Sequence, residues 1–151
     1  MDLTQITIND FLIQKGYIDI QVKPNKVGLF EVIGKFLDKE MTFLIDTGAS
    51  NTILNLELAK SFNLSIEELD TPGGGVGTSD AKVYQVDSSP IAIQGFNLAD
   101  FELLAIDFKH INLSLQAKEI DPVDGVIGAD LLNKYGAIID YKTSTLFLQE
   151  D

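Results

Sequence analysis

The sequence predicts an all-β fold with one or two short helices. Short apolar or alternating runs dominate its 151 residues, and clusters of Gly, Pro, Asn and Asp separate them, which is the spacing that strands and turns produce. Two apolar runs, at 43–45 and 126–127, each end at small residues that permit a sharp change of direction. Only two segments favour a helix over a strand, so helices are a minor part of the predicted fold.

The predicted strands follow one another along most of the chain. They cover residues 17–22, 28–36, 41–46, 82–86, 90–94, 101–108, 137–140 and 145–148. The runs at 90–94 and 101–108 are predicted to form a strand pair through a turn at Gly95. We read residues 24–26, 38–40 and 141–144 as turns.

Two short helices are predicted between the strands. The first covers residues 56–62, with Asn55 as its N-cap, and the second covers 131–135, capped by Asp130 and ended by Gly136. Residues 1–16 fit either an extra strand or an arm. The chain shows neither a repeat nor an interdomain linker, so we predict a single domain over residues 1–151.

Composition excludes several classes of function. The net charge of −12 argues against nucleic acid and anionic membranes as partners. The chain has no cysteine, which excludes a thiol nucleophile and a cysteine-based zinc site, and its only histidine, His110, cannot build a histidine-rich metal site. No signal peptide or membrane-spanning run is visible. The sequence does not decide the cellular compartment. Cytoplasmic is the default, but an exported or membrane-tethered protein would have the same sequence features once its leader was removed.

The most informative stretch is residues 43–50, Phe-Leu-Ile-Asp-Thr-Gly-Ala-Ser. It places Asp46 at the end of an apolar strand, inside a turn that small residues make. We expect Gly48 to adopt a backbone angle that a side chain would forbid. An aspartate in an apolar setting is costly unless it is paired, and such carboxylates mark functional sites. The run 124–132 is a second apolar strand that meets a glycine and turns into a helix, so the two strands are expected to cross beneath the acid.

Together these features resemble the retropepsin-type aspartic proteases. The resemblance covers roughly residues 28–148 and rests on four features in a fixed order. They are an acid loop (Asp46, Thr47, Gly48 and Ala49), a glycine-rich segment (Gly73, Gly74, Gly75, Val76 and Gly77), a second glycine strand (Val126, Ile127 and Gly128) and a following helix (residues 130–135). The resemblance implies a β-barrel domain of the acid-protease type. It also implies an aspartic endopeptidase that acts on peptides or proteins without a cofactor.

In that family two carboxyl groups share one proton, one as general base and one as general acid. The acid motif occurs once in this chain, so the resemblance implies a homodimer in which Asp46 meets its own copy. Thr47 would bond across the dimer, or alternatively close its own turn. Because Ala49 carries no hydroxyl that could stabilise an ionised carboxylate, we expect activity at mildly rather than strongly acidic pH.

Residues 73–77 fall where the family carries its flap, a hairpin that closes over substrate. An ordinary flexible loop is the alternative. A phosphate-binding loop is disfavoured, because the segment lacks the Lys-Ser or Lys-Thr ending of that motif. Asp140 also follows an apolar run, but Tyr141 succeeds it, so we interpret Asp140 as a strand end. Asp121, Asp124 and Asp130 cluster near the second glycine strand but lack the spacing of a calcium loop, and capping and solvation explain them better.

The chain departs from the retroviral enzymes in two places. An insertion is expected between residues 96 and 122, where it could remodel a substrate pocket or the dimer contact. Ala129 replaces the polar residue that braces the retroviral dimer, and Gly-Ala-Asp at 128–130 is more similar to bacterial and other cellular single-domain relatives. Two alternatives remain: a non-catalytic module of the same fold that binds extended peptides or mediates dimerisation, and a small β-barrel in which Asp46 is structural.

Overall fold

A computed structural model describes residues 2–69, 82–98 and 100–150. Its helices are a 3-10 turn at Leu3–Gln5 and α1 (Ile8–Gln14), α2 (Leu56–Ser61), α3 (Lys109–Ala117) and α4 (Ala129–Lys134). Its strands are β1 (Ile18–Gln21), β2 (Lys23–Pro24), β3 (Phe30–Phe36), β4 (Lys39–Ile45), β5 (Ile53–Asn55), β6 (Ile66–Glu68), β7 (Tyr84–Val86), β8 (Ile91–Ile93), β9 (Phe96–Asn97), β10 (Leu103–Ile106), β11 (Gly125–Ile127), β12 (Ile138–Asp140) and β13 (Thr145–Leu148).

The strands form two sheets. The large one runs in the order β6-β7-β10-β5-β11-β4-β3-β8-β9, with β2 also paired to β3, and the small one runs β1-β13-β12. Strand β11 lies between β4, to which it is parallel, and β5, to which it is antiparallel. Ile127 stands opposite Ile45, and Val126 stands opposite Ile53. The second glycine strand is therefore held on both sides at the point where β4 reaches Asp46.

The central strands bury both of their faces. Side chains alternate between faces along a strand, so Phe43 and Ile45 enter the larger core while Leu44, between them, enters a second cluster. Val126 joins Leu44 on that second face. Helix α3 covers this face through Leu115, and residues near the helix (Phe108, Ile120 and Val123) complete the cluster. Burial on both faces explains why these strands read as continuous apolar runs.

Two glycines make room for the Phe43 ring. A Cβ at Gly34 would lie 2.8 Å from that ring, and a Cβ at Gly125 would overlap it and lie 3.0 Å from the carbonyl oxygen of Ile53. Both distances are shorter than the roughly 3.5 Å at which non-bonded atoms pack favourably. Phe43 is fully buried, so it fixes the spacing of β3, β4 and β11 under the acid loop.

The structure confirms the all-β prediction and corrects several details. Residues 1–16 were expected to form a strand or an arm, but α1 forms there, with the Thr7 hydroxyl accepting from the Asp10 amide as N-cap. Helix α3 lies within the segment expected to be an insertion, after β9 and β10. Helix α2 begins as predicted, because the Asn55 side chain accepts from the Glu57 amide. No helix of the described residues is long and apolar enough to cross a membrane.

Two further predictions about local structure were wrong. Strands β8 and β10 do not pair with each other: β8 pairs with β3 and β9, whereas β10 pairs with β5 and β7. Asp130 does not cap α4, since Gly128 is the N-cap and Asp130 lies inside the first turn. Gly136 does end that helix, with a left-handed φ of 55°. Asp140 is the last residue of β12, as predicted.

Candidate active site

Asp46 follows the last residue of β4 and begins a tight turn. The Gly48 amide donates to Asp46 Oδ1 at 2.9 Å, and the Ala49 amide donates to the carbonyl oxygen of Asp46 at 3.1 Å. The carboxylate is exposed in the single chain, as are Thr47 and Gly48. The sequence placed Asp46 in an apolar setting. That was wrong for the side chain, because the apolar strand stops at Ile45 and the turn projects beyond it.

Gly48 has a different role from the one predicted. It does not adopt a left-handed φ, unlike Gly16, Gly28, Gly95 and Gly136. Instead, a Cβ at Gly48 would lie 3.3 Å from Asp46 Oδ1, tighter than a comfortable contact. Glycine at this position therefore leaves space for the carboxylate oxygen that its own amide binds.

The two strands do not cross as predicted: β11 runs parallel beside β4, and the acid loop crosses the end of β11 on its way to β5. The Asp46 amide donates to the carbonyl oxygen of Ile127 at 2.9 Å, and the Ala129 amide donates to the carbonyl oxygen of Ala49 at 2.7 Å. A Cβ at Gly128 would lie 2.5 Å from the carbonyl oxygen of Asn51 and 2.9 Å from that of Ala49. Because no side chain fits there, the chain can cross at backbone contact distance. The structure thus brings together the predicted acid loop and the predicted strand at Val126, Ile127 and Gly128.

Sequence reasoning missed Thr52, which lies beneath the same crossing. Its side chain is fully buried, its hydroxyl accepts from the Gly128 amide at 2.9 Å, and it donates to Asp130 Oδ1 at 2.7 Å. One sequence feature could have identified Thr52: it is a polar residue immediately before the apolar pair Ile53 and Leu54. A hydroxyl at such a position needs a buried partner.

A groove borders the loop on its other side. Helix α4 and strand β12 line it, together with Thr47: Thr47, Ala129, Leu132, Asn133, Ala137 and Ile139. Ile138, on the edge strand β12, is also partly exposed. An apolar surface of this kind therefore lies beside the exposed acid turn.

Of the other candidate residues, His110 and Asp124 lie apart from the acid turn. Gly73, Gly74, Gly75, Val76 and Gly77 lie outside the described residues. His110 is exposed in the first turn of α3. Asp124 accepts from the Thr42 amide through its side chain at 2.8 Å, which agrees with a structural role. Within residues 2–69, 82–98 and 100–150, no group of acidic or histidine side chains is arranged to hold a metal ion.

Comparison with known proteins places this geometry in a family. The model of a family described as aspartyl protease matches residues 32–131. A retropepsin-like aspartic protease from Rickettsia conorii is similar in structure, with a TM-score of 0.54 and 23% identity over 88% of this chain and 89% of that one. The retroviral protease-like domain of Ddi1 from Leishmania major has a TM-score of 0.57 and 20% identity over 83% of this chain and 92% of that one. No curated protein matches significantly in sequence. The structural matches show a retropepsin-like fold.

Proposed function

Because the chain belongs to the aspartyl protease family, we propose that it is an aspartic endopeptidase whose catalytic pair is Asp46 from two copies of the chain. One observation carries the proposal: a single, exposed Asp46 is held by backbone hydrogen bonds between the acid loop and the second glycine strand. The acid motif occurs once in the sequence. A two-fold axis through the exposed turn supplies the second carboxyl.

The pair works by acid–base catalysis on a bound water. The ionised Asp46 takes a proton from the water, which attacks the peptide carbonyl, while the protonated Asp46 of the second copy gives its proton to the carbonyl oxygen. When the tetrahedral intermediate collapses, the C–N bond breaks, the first carboxyl gives its proton to the leaving amine, and the second takes its proton back from the hydroxyl group. Two carboxyl groups this close share one proton because both cannot ionise together. The nucleophile is water, so the reaction requires no cofactor. The substrate is an extended peptide or protein segment.

The neighbouring residues support the acid in distinct ways. Gly48 positions the Asp46 carboxylate through its amide, and Ala49 ties the loop to Ala129. Thr47 is exposed on the same turn, so its hydroxyl is free to reach the second copy. The groove beside Thr47 and the partly exposed Ile138 supply apolar surface for that contact. Val126, Ile127 and Gly128 form the floor that fixes the height of the loop.

Residues 73–77 are proposed to form the flap. Strands β6 and β7, which flank this segment in the chain, pair antiparallel, and the Leu69 amide donates to the carbonyl oxygen of Val83 at 2.8 Å. A hairpin base of this kind supports the proposal of a flap at residues 73–77. Val83 belongs to the second apolar cluster, and Leu69 and Ala49 pack against it.

The test is cleavage of a mixed peptide library from about pH 4 to 7, the range suggested by a carboxyl pair. Wild type, Asp46→Asn and Asp140→Asn are compared, with the solution mass of each recorded. Asp140 is the matched control, because it also ends an apolar strand but lies in the other sheet. We expect cleavage by wild-type and Asp140→Asn dimers and none by Asp46→Asn. Peptide binding without cleavage by a wild-type dimer would instead indicate a non-catalytic module of the same fold.

A further inference from the structure

Thr52 is one of three polar residues that are buried among the described residues, the others being Ser88 and Thr145. It lies between the acid loop and β5, on the side of the loop that faces the second glycine strand. Its position is unusual because its hydroxyl serves two elements at once. The Ser88 hydroxyl, by contrast, lies at hydrogen-bond distance from two carbonyl oxygens, those of Leu98 and Phe101.

The direction of both hydrogen bonds is fixed by chemistry. An amide can only donate, so the Thr52 oxygen must accept from Gly128 at 2.9 Å. The single hydroxyl proton then points to Asp130 Oδ1 at 2.7 Å, and the same carboxylate oxygen accepts from the Leu131 amide at 2.8 Å. Asp130 therefore orients the hydroxyl so that its lone pair faces Gly128.

This bond joins the two segments that hold the catalytic carboxylate. The residues on either side of Gly128 both bond to the acid loop. The carbonyl oxygen of Ile127 accepts a hydrogen bond from the Asp46 amide, and the Ala129 amide donates to the carbonyl oxygen of Ala49. Thr52 thus fastens the second glycine strand at the residue between its two contacts with the acid loop. A shift of Gly128 displaces both contacts together.

We propose that Thr52 is a positioning residue that sets the height and tilt of the Asp46 turn through Gly128, with Asp130 as its anchor. The inference rests on the proposed function and adds a residue that never touches substrate. Thr52→Val preserves the shape of the side chain but places a methyl group against the buried Gly128 amide. The buried amide then lacks its acceptor, which favours movement of the strand.

The experiment compares Thr52→Val and Thr52→Ser with wild type, and uses Thr145→Val as the matched control. Thr145 is equally buried, but it lies in β13 and its hydroxyl donates to the carbonyl oxygen of Thr143, in the turn between β12 and β13. Three readouts are taken: kcat and KM on a cleaved peptide, urea unfolding, and hydrogen exchange of the Gly128, Ala129 and Asp46 amides. The exchange measurement does not depend on activity.

For Thr52→Val we expect kcat to fall roughly 10- to 100-fold with KM nearly unchanged, the effect of a catalytic group displaced by about 1 Å. The three amides should exchange faster than in wild type. Thr52→Ser, which keeps the hydroxyl, should restore most of kcat and the protection. Thr145→Val should alter stability alone.

A wild-type kcat in Thr52→Val, or unchanged protection of the Gly128 and Asp46 amides, would overturn the inference. If kcat falls equally in Thr145→Val, the loss reflects stability and not positioning, which also overturns it. Absence of cleavage by wild type would refute the proposed function instead. The exchange readout then decides alone whether Thr52 holds the turn.

Discussion

The crossing at Gly128 makes a quantitative prediction for Gly128→Ala. The backbone there has φ −105°, which any residue adopts, so alanine introduces no conformational strain. Its Cβ, however, would lie 2.5 Å from the carbonyl oxygen of Asn51, where about 3.5 Å is comfortable. The obstacle is backbone and cannot rotate away. The acid loop and the second glycine strand must therefore separate by roughly 1 Å.

A separation of this size breaks two hydrogen bonds. They run from the Ala129 amide to Ala49 at 2.7 Å and from the Gly128 amide to Thr52 at 2.9 Å. A buried amide left without its acceptor costs about 1–3 kcal/mol. We therefore expect Gly128→Ala to lower the free energy of unfolding by about 3 kcal/mol or more. Cleavage should fall about 100-fold or more, since a 1 Å misplacement of a catalytic group has that effect.

Urea unfolding measures the stability loss, and Gly28→Ala is its control. A Cβ at Gly28 meets nothing within 4 Å, and that residue has φ +85°, so only backbone strain of about 1–2 kcal/mol applies. Gly128→Ala should therefore unfold at clearly lower urea concentration than Gly28→Ala. Equal midpoints for the two variants, or a Gly128→Ala protein with wild-type cleavage, would refute the close crossing as the device that holds Asp46.

Two further predictions concern the packing and the pH response. Gly125→Ala should destabilise the fold because its Cβ overlaps the Phe43 ring, and Phe43→Leu in the same chain should relieve part of that cost. A double-mutant cycle measured by urea unfolding should give a coupling energy of about 0.5–3 kcal/mol between the two substitutions. Strictly additive effects would contradict the contact. The Thr143 hydroxyl, chiefly, holds the pKa of Asp140 below its usual 3.8. Asp140 therefore stabilises the fold above pH 3.8, and that contribution is lost as the pH falls through the lowered pKa. Thr143→Val should raise the pKa of Asp140 toward 3.8 in a carboxyl NMR titration, and an unchanged value would rule out the hydroxyl as its cause.

The parts of the fold that sequence predicts well are those encoded locally. The acid turn follows a strand buried on both faces, and the second glycine strand repeats that pattern, so both were visible as apolar runs ending at small residues. Helix α2 was visible through the Asn55 cap. In each case the signal and the structure that it produces lie within about ten residues.

Features that depend on distant partners could not be predicted. Leu115 is the one buried residue of helix α3, so the helix has little apolar periodicity in its sequence. The helix is held in place by two hydrogen bonds between the Asn112 side chain and the backbone of Val123. Strand β10 joins β5 in parallel, with Leu104 opposite Ile53, a crossover that the spacing of turns does not reveal.

The role of Gly48 was misjudged for a related reason. Glycine serves both left-handed turns and close contacts, and the sequence alone does not separate the two. The same limit hid Thr52, whose partners Gly128 and Asp130 lie more than 70 residues away along the chain.

The most direct test of the account mixes wild-type and Asp46→Asn subunits. Total protein is held constant, the subunits are allowed to exchange, and cleavage is measured as a function of the wild-type fraction. If each site needs Asp46 from both copies, activity follows the square of that fraction, about one quarter of the full rate in an equal mixture. A linear dependence, about one half in the same mixture, would show that a single chain supplies the complete site and would contradict the shared pair.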